Sequence, residues 1–203
     1  MQLNLDELSP NAIYHLMTQT VIPRPIAWVL TESSQDNFNL APFSYFAPVS
    51  SNPPLLMISI GKKPDGTLKD SAVNAIKNKR LVIHIANADS AEVMTQTSAT
   101  LEHGESEVEA SDVALTNFDG FSLPRVSQCP IAFGCSLHEV IEMGETPQHL
   151  VIAKIEQVFI DDSVIDTQQE RLVVDGLKVN PLSRLGGNNY ALINEIISVA
   201  RPS

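Results

Sequence analysis

The sequence predicts a mostly β protein, a β-barrel with peripheral helices. Three apolar runs separated by turn residues make the second half rich in strands, and the two longer runs alternate in patches as barrel strands do. These runs are residues 130–143, 149–160 and 171–177. In the first half, residues 26–46 are typical of a β-hairpin with its turn at Asp36 and Asn37. The 203 residues contain no repeat and no low-complexity linker, so we expect a single domain over residues 1–203.

Helix signals flank the predicted strands. Ser9 followed by Pro10 is a good helix start, because a capping hydroxyl precedes a proline at the first helical position. The spacing of apolar residues predicts a helix over residues 69–79. A second short helix is predicted over residues 89–97, with Asp89 as its N-cap.

Charge and cysteine usage limit the possible partners. The net charge of −11 argues against general nucleic-acid binding, which needs Lys and Arg along the phosphate backbone. Residues 62–80 nevertheless hold six cations against two anions, which indicates either a locally held anionic small molecule or a solvated helix face. The N-terminus is acidic and lacks an apolar stretch, so we expect no targeting segment and no membrane anchor. Cys129 and Cys135 match no common disulfide or zinc pattern, so we expect reduced, buried thiols in a cytoplasmic protein.

Residues 37–61 are the part of the chain in which we expect function to lie. These twenty-five residues carry no charge, yet they contain four prolines and seven Asn or Ser residues. The prolines exclude a continuous helix. We therefore predict strands over residues 40–46 and 55–60, joined by a polar elbow of Ser50, Ser51 and Asn52. Hydroxyls and free backbone amides between buried strands suit a flat ligand with polar edges.

Several common site signatures are absent from the sequence. It contains no GxGxxG after a strand and no GxxxxGK[ST], and it lacks GxSxG and HExxH. The acidic run at 102–112 is predicted to be an exposed loop with a helical turn rather than a carboxylate site, and the scattered histidines predict no metal site. In the buried strand predicted over 81–86, His84 is expected to be a core histidine with satisfied hydrogen bonds. His149 begins a strand and is expected at a barrel rim, where a site role and a structural role both stay open.

Four segments, in order, resemble the flavin reductase-like family and within it the flavoredoxin-like branch. They are IPRPIAWVLT (22–31), NLAPFSYFAPVSSNPP (39–54), KDSAVN (69–74) and RLGGNNY (184–190). Together with the strand that opens at His149, they match an ordered set of family motifs that covers most of the chain. The resemblance implies an FMN-binding split β-barrel with FMN as cofactor. It also implies a homodimer, because family members place flavin at the subunit boundary.

The resemblance further implies an NAD(P)H-dependent flavin oxidoreductase or a flavoredoxin-like electron-transfer protein. In such reductases the flavin accepts hydride from a nicotinamide nucleotide and passes electrons to a second acceptor, which the sequence does not identify. A rim histidine resembling His149 lies near the nicotinamide pocket, which makes it the catalytic candidate. Here TPQH (146–149) replaces the common family motif GDH, so the use of NADH, NADPH or neither stays open. The alternatives are an FMN carrier without nicotinamide oxidation of its own, and a split barrel that has lost flavin.

The implied roles of the site residues follow the chemistry of FMN. Lys69 and Ser71 at a helix N-terminus suit a phosphate dianion, with Asp70 as a first-turn anion. Arg24, fixed between two prolines, is expected either at the same phosphate or in a surface salt bridge. The flavin ring is expected against residues 41–44, where Phe43 could instead be core.

Further residues are assigned around that ring. Ser50 and Ser51 are expected at the ribityl chain or the pyrimidine edge, and Asn74 either closes the phosphate end or braces the loop. Arg184 and Tyr190 belong to the tail motif, which could also be a simple tight turn. The predicted cofactor-binding set is Arg24, Thr31, Ala41, Pro42, Phe43, Ser44, Ser50, Ser51, Lys69, Asp70, Ser71, Asn74, Arg184 and Tyr190.

Overall fold

Strands dominate the regular structure of the protein. The computed structural model describes residues 1–102, 104–145, 147–167 and 170–202. The helices are α1 (Pro10–Thr20), α2 (Asp70–Asn78), α3 (Ala91–Gln96), α4 (Glu107–Ala110) and α5 (Gly176–Val179). The strands are β1 (Arg24–Pro25), β2 (Ala27–Ser34), β3 (Asn37–Phe43), β4 (Phe46–Ser51), β5 (Pro54–Ile60), β6 (Arg80–Ile85), β7 (Leu115–Thr116), β8 (Arg125–Val126), β9 (Ile131–Met143), β10 (Gln148–Ile160), β11 (Ser183–Arg184) and β12 (Tyr190–Ala191). Short 3-10 turns cover Leu5–Glu7, Ala88–Ser90 and Asp162–Val164.

Seven of these strands form one antiparallel sheet in the order β3-β2-β6-β9-β10-β5-β4. The two longest strands, β9 and β10, pair with each other near the middle of this order. The hairpin predicted over residues 26–46 is formed by β2 and β3, and the predicted buried strand is β6. A smaller sheet of β1, β11 and β12 ties the C-terminal segment to the chain just before β2. The mostly β fold predicted from the sequence is confirmed.

The strand β2 separates two apolar clusters and is buried on both of its faces. Trp28 and Leu30 belong to one cluster, and Val29 belongs to the other, because successive side chains of a strand point to opposite faces. The second cluster is formed largely by side chains of main-sheet strands, including Ile58 of β5 and Val151 of β10. A strand that is buried on both sides reads as a continuous apolar run, which is the pattern of residues 26–30.

Two predicted helices form as expected. The Oγ atom of Ser9 accepts a hydrogen bond from the backbone N–H of Ala12 at 3.2 Å, and Pro10 is the first residue of α1. The helix predicted over residues 69–79 is α2. Its first turn begins with Asp70, whose carboxylate contacts Lys63 in the loop that follows β5.

The strand predicted over residues 40–46 divides into two elements. The strand β3 ends at Phe43, and a separate strand, β4, begins at Phe46 and pairs with β5. The polar elbow was therefore wrong for Ser50 and Ser51, which are the last residues of β4, and the chain turns at Asn52 and Pro53 instead. The pairing with β5 supplies partners for the backbone groups that an elbow would leave exposed.

Three other element predictions were wrong in part or entirely. The run 171–177 is not a strand, because the Asp175 carboxylate caps α5 by accepting from the N–H groups of Leu177 and Lys178. Asp89 lies inside a 3-10 turn capped by Asn87, so it does not cap α3. The acidic run at 102–112 contains α4, and Glu107 is buried rather than solvated; His103, in this run, lies outside the described residues.

His84 is a core histidine with both ring nitrogens hydrogen-bonded, as predicted. Its Nδ1–H donates to the Trp28 carbonyl oxygen at 2.9 Å, and its Nε2 accepts from the Val126 N–H at 2.9 Å. Burial lowers the pKa of His84 to about 4, and the positive charge of Arg125 acts in the same direction. The ring is therefore neutral, with its proton on Nδ1.

Both cysteines are free and buried. Burial raises the pKa of each thiol, Cys129 and Cys135, to about 12, so neither is a nucleophile near neutral pH. Within the described ranges, no helix has the length and apolar character needed to cross a membrane.

Candidate functional site

A cleft runs along β3, the strand at one end of the main sheet order. It consists of two adjoining cavities of about 250 and 320 Å³, which share Pro42, Phe43 and Ser98 in their walls. In that order β3 has a strand neighbour on one side only. On its other edge the Leu40 N–H donates to Glu107 and the Phe38 carbonyl accepts from Ser106, so the part of this edge that borders the cleft is residues 41–44. The predicted ring-binding residues Ala41 and Ser44 also line this cleft.

The N-terminus of α2 meets β3 at the larger of these two cavities. Lys69 immediately precedes the helix, and its ammonium group offers donors only, so it cannot cap the N–H groups of α2. The Lys69 Nζ atom lies 5.6 Å from the centroid of the Phe43 ring. Although much of the Lys69 side chain is exposed, the surrounding protein removes water from its ammonium group and lowers the pKa of Lys69. A desolvated cation beside a helix N-terminus is a strong attractor for an anion.

Two further lysines and the carboxylate of Asp70 add charge to this end of the cleft. The Lys63 Nζ atom lies 2.7 Å from Asp70 Oδ2, and both side chains are mostly buried. Lys62 lines the same cavity and is exposed. Asp70 therefore balances Lys63 in the first turn of α2, as expected of an anion near a helix N-terminus.

A buried polar network lies beneath the cavity floor. Ser71 Oγ donates to Asn39 Oδ1 at 2.7 Å, and Thr31 Oγ1 lies 3.4 Å from the same oxygen. Asn74 Nδ2 donates to Thr31 Oγ1 at 3.2 Å. Of the predicted residues, Ser71 reaches the cleft wall, whereas Thr31 and Asn74 brace the wall from behind.

The network ends at Glu107, which belongs to the acidic run that the sequence predicts to be exposed. Only 6% of this residue is exposed, and its Oε2 atom accepts from Asn39 Nδ2 at 2.7 Å and from the Leu40 N–H at 3.1 Å. Burial raises the pKa of Glu107, while these hydrogen bonds oppose the rise. The available signal was Ser106 followed three residues later by Glu109, which marks a helix start and places Glu107 in its first turn.

The tail motif forms the wall of the smaller cavity. Arg184 and Tyr190 pair across β11 and β12, and the Arg184 guanidinium lies 4.7 Å from the centre of the Tyr190 ring. The Tyr190 hydroxyl is 2.9 Å from Thr95 Oγ1, which anchors the hairpin on α3. Gly187 has φ +60°, a conformation that favours glycine, and its carbonyl accepts from Arg184 Nη2 at 2.5 Å. The motif is thus a tight turn whose side chains also face the cleft.

Arg24 is buried and bonded mainly to backbone. Its Nη1 atom donates to the carbonyls of Thr18 and Val21, each at 2.7 Å, and its Nη2 donates to the Leu185 carbonyl at 3.0 Å. Its Nε atom lies 3.4 Å from Ser44 Oγ, its link to the cleft wall. Arg24 thus links the end of α1 to the C-terminal segment at Leu185. Its contact with a phosphate stays a prediction.

Within a single copy of the chain, Ser50 and Ser51 do not lie at the cleft. Both lie at the exposed end of β4, on the strand at the opposite end of the main sheet order from β3. Neither lines the cavities described above.

His149 lies at the start of β10, as predicted, and only 5% of it is exposed. Its Nε2 atom is 3.4 Å from Glu142 Oε1, and its buried Nδ1 has no hydrogen-bond partner among the described residues. It lines a third cavity, of about 1,170 Å³, whose wall shares Lys62, Lys63 and Asp70 with the cleft. His149 thus faces a space that borders the cationic end of the cleft. Thr146, in the TPQH segment, lies outside the described residues.

The arrangement can hold an anionic, elongated ligand with a flat apolar part. One end of the cleft is cationic, and the strand edge of β3 with Phe43 and Tyr190 lies along the rest. In the described part of the chain, no cluster of three His, Cys, Asp or Glu side chains is arranged to hold a metal ion.

Known proteins resemble this chain over nearly its whole length. A sequence profile described as the flavin reductase like domain matches residues 17–176. Uncharacterized protein YwrF of Bacillus subtilis (strain 168) is 37% identical over 202 residues, covering 98% of this chain and 97% of YwrF.

Solved structures share the fold. Nitrilotriacetate monooxygenase component B from Bacillus cereus superposes with a TM-score of 0.89 at 30% identity, covering 98% of each chain. Pseudomonas fluorescens 2-nitrobenzoate 2-nitroreductase NbaA superposes with a TM-score of 0.88 at 28% identity, covering 100% of this chain and 97% of that one. Flavoredoxin of Desulfovibrio vulgaris (Miyazaki F), at 17% identity and TM-score 0.77, covers 98% of this chain and 97% of its own and shows the fold alone. The chain therefore belongs to the flavin reductase-like family of split-barrel proteins and has a flavin-binding, oxidoreductase-type role.

Proposed function

We propose that the cleft binds FMN and that the protein is an NAD(P)H-dependent flavin oxidoreductase or a flavoredoxin-like electron-transfer protein. The observation that supports this most is the meeting of Lys69, the N-terminus of α2 and the edge of β3 in one cleft. A phosphate dianion suits the first two, and a ring with donors and acceptors along one edge suits the third.

The residues present fit FMN in charge and size. Lys62 and Lys69 bring positive charge to one end, while Lys63 is balanced by Asp70. The cavity of about 320 Å³ reaches the lower end of the range of ligand sites, and the adjoining cavity of about 250 Å³ extends it, so that together they lie within this range. The ring in this proposal lies between Pro42–Ser44 and the Arg184–Tyr190 hairpin, with the phosphate beside Lys69.

Bound FMN would supply the hydride and electron transfer that the side chains of the chain do not perform. Phe43 and Tyr190 would keep water from the ring, and Lys69 would hold the phosphate. The third cavity, with His149 on its wall, is our candidate for the nicotinamide nucleotide, because it borders the cleft and contains Lys62.

Two of the similar proteins support an oxidoreductase function. One is a component of a monooxygenase, and the other is a nitroreductase. Both functions involve the movement of electrons to a second substrate. We therefore place the electron acceptor outside the flavin cleft and leave its identity to experiment.

A second candidate is an FMN carrier or electron-transfer module that does not oxidise nicotinamide nucleotides itself. The near-complete burial of His149 supports it, because a rim residue that contacts a nucleotide should be accessible. The two candidates share the FMN site and differ only in the electron donor.

We further propose a cytoplasmic homodimer. Apolar side chains of the last residues are exposed in one chain, including Leu192, Ile193 and Ile197, and a second copy could cover them. A second copy could also bring Ser50 and Ser51 to the cleft of its partner, which would reconcile their predicted role with their position. The cytoplasmic location has the two free, buried cysteines as its support.

The test begins with the colour of the purified protein. Bound flavin gives an absorbance band near about 450 nm, and release by heat followed by chromatography identifies FMN, FAD or riboflavin. Anaerobic addition of NADH or NADPH then bleaches the band if the protein is a reductase and leaves it unchanged if it is a carrier. A preparation that neither contains flavin nor binds added FMN contradicts both candidates.

A further inference from the structure

The carboxylate of Glu107 determines which atom is the donor in each hydrogen bond beneath the cleft. An ionised carboxylate can only accept hydrogen bonds. Its Oε2 atom lies 2.7 Å from the side-chain amide of Asn39, so the NH2 group of that amide must face Glu107 and its carbonyl must face away. The Leu40 N–H donates to the same carboxylate oxygen at 3.1 Å and holds it in place.

The direction passes from Asn39 to Ser71. Because Asn39 Oδ1 is an acceptor, the contact of 2.7 Å with Ser71 Oγ requires the serine hydroxyl to donate its proton. Thr31 adds a second donor toward the same oxygen, at 3.4 Å, while it accepts from Asn74 at 3.2 Å. A serine has one hydroxyl proton. The Ser71 hydroxyl therefore has only lone pairs left for the cleft that the residue lines.

We propose that Glu107 is a positioning residue that makes the Ser71 hydroxyl a hydrogen-bond acceptor in the cleft, so that this hydroxyl binds a hydroxyl of the flavin polyol chain and not its phosphate. The inference rests on the proposed function, since it assumes a flavin in this cleft. A phosphate dianion offers acceptors only, and two acceptors facing each other repel. A ribityl hydroxyl can donate, so it is the part of the ligand that matches Ser71.

The charges around the site agree with this division. The same cavity is lined by three lysines that attract the phosphate, Lys62, Lys63 and Lys69. The negative charges of Glu107 and Asp70 repel the phosphate from the cavity floor. Lys69 lies at the α2 N-terminus, two residues before Ser71 in sequence. The phosphate is accordingly assigned to Lys69 and the polyol to Ser71.

The experiment compares three flavins that differ only in the side chain of the ring. Lumiflavin lacks the polyol, riboflavin has it, and FMN adds the phosphate. Dissociation constants are measured at pH 8 by quenching of flavin fluorescence in the wild type, Glu107→Gln, Glu107→Leu and Ser71→Ala. Glutamine keeps an acceptor oxygen for Asn39 and Leu40, whereas leucine removes it at similar size, so the glutamine variant is the matched control.

We expect Glu107→Leu and Ser71→Ala each to weaken riboflavin and FMN by the same factor, about fivefold, which is the loss of one neutral hydrogen bond. Lumiflavin should bind all four proteins equally, which also shows that the variants fold. Glu107→Gln should restore the affinities of the wild type to within about twofold. A role of Glu107 in structure alone would change lumiflavin binding as well.

A double variant tests whether Glu107 acts through Ser71. In the Ser71→Ala background, Glu107→Leu should weaken riboflavin no further, because the group that it positions is gone. Additive losses would overturn the proposal, and so would a loss confined to FMN, which would place Ser71 at the phosphate. If none of the three flavins binds the wild type, the proposed function fails together with this inference. If the wild type binds them and the pattern differs, only the inference fails.

Discussion

The buried histidine of the core predicts a specific loss of stability in mild acid. His84 is neutral in the folded protein, since Nε2 must accept the Val126 N–H and Nδ1 already holds its proton. If Nε2 were protonated, its N–H would face the Val126 N–H, and a positive charge would lie in a fully buried site. The unfolded chain has no such restriction, so it binds a proton below pH 6.5, the ordinary pKa of histidine, and the folded protein does not until about 4.

The size of the effect follows from these two values. A pKa that is lowered on folding contributes stability above the unfolded value, and this stability is lost as the pH falls toward the folded value. Between pH 7.5 and 5.0, proton binding should favour the unfolded chain by a factor of about 30, or about 2 kcal/mol. The complete loss, below both pKa values, is about 3 kcal/mol. Such an amount is a large part of the stability of an ordinary domain.

Carboxylates also titrate as the pH falls, so the effect needs a reference protein. His84→Gln offers a donor and an acceptor that do not titrate, and the difference in pH dependence between the two proteins isolates the imidazole. Free energies of unfolding from urea titrations at several pH values between 5.0 and 7.5, at equal flavin occupancy, provide the measurement. The wild type should lose about 2 kcal/mol more than the variant over this range. Parallel curves would refute the neutral, doubly bonded histidine.

Three other substitutions separate binding from folding. Lys69→Ala should weaken FMN by about 1.5–3 kcal/mol with riboflavin unchanged, as measured by fluorescence titration, and unchanged FMN binding would remove Lys69 from the phosphate site. Arg24→Lys should lower the free energy of unfolding by about 1–3 kcal/mol, because one ammonium cannot replace the bonds to three carbonyls. If the FMN affinity of that variant instead falls by more than its riboflavin affinity, Arg24 is a phosphate ligand. Gly134→Ala should cost about 1–3 kcal/mol in urea unfolding, because the new Cβ would lie 2.7 Å from the Phe121 ring; Gly176→Ala, where nothing lies within 4 Å, is the control.

The parts of the fold that depend on local chemistry were predictable from the sequence. Ser9 with Pro10 started a helix, and the apolar spacing over residues 69–79 produced α2. These signals involve residues only a few positions apart, so a short stretch of sequence contains all the residues that form the structure. The strand predicted over residues 171–177 was wrong because two local signals conflict there. The apolar residues match a strand, whereas the cap at Asp175 starts a helix.

The ordered motifs placed most of the candidate site, but not the partners of each residue. Ala41–Ser44 and Lys69–Ser71 lie on one cleft because β3 and α2 meet, and the resemblance to the family contained that information. Arg24 could be recognised as fixed, yet its partners include Leu185, which is far away in sequence. No local pattern distinguishes a guanidinium that binds a phosphate from one that binds carbonyls, since both need the same donors.

Glu107 shows why hydrogen-bond direction cannot be predicted from composition. In sequence it is one of five acidic residues within eleven positions, and solvation is the ordinary fate of such a run. In the structure α4 packs on β3, and the carboxylate of Glu107 is buried against that strand while its neighbour Glu109 stays exposed. A buried carboxylate keeps its charge only if donors surround it, and Asn39 and Leu40 provide them. The same donors turn Asn39 and fix the Ser71 proton, so a packing event 68 residues from Asn39 in sequence decides what the cleft can bind.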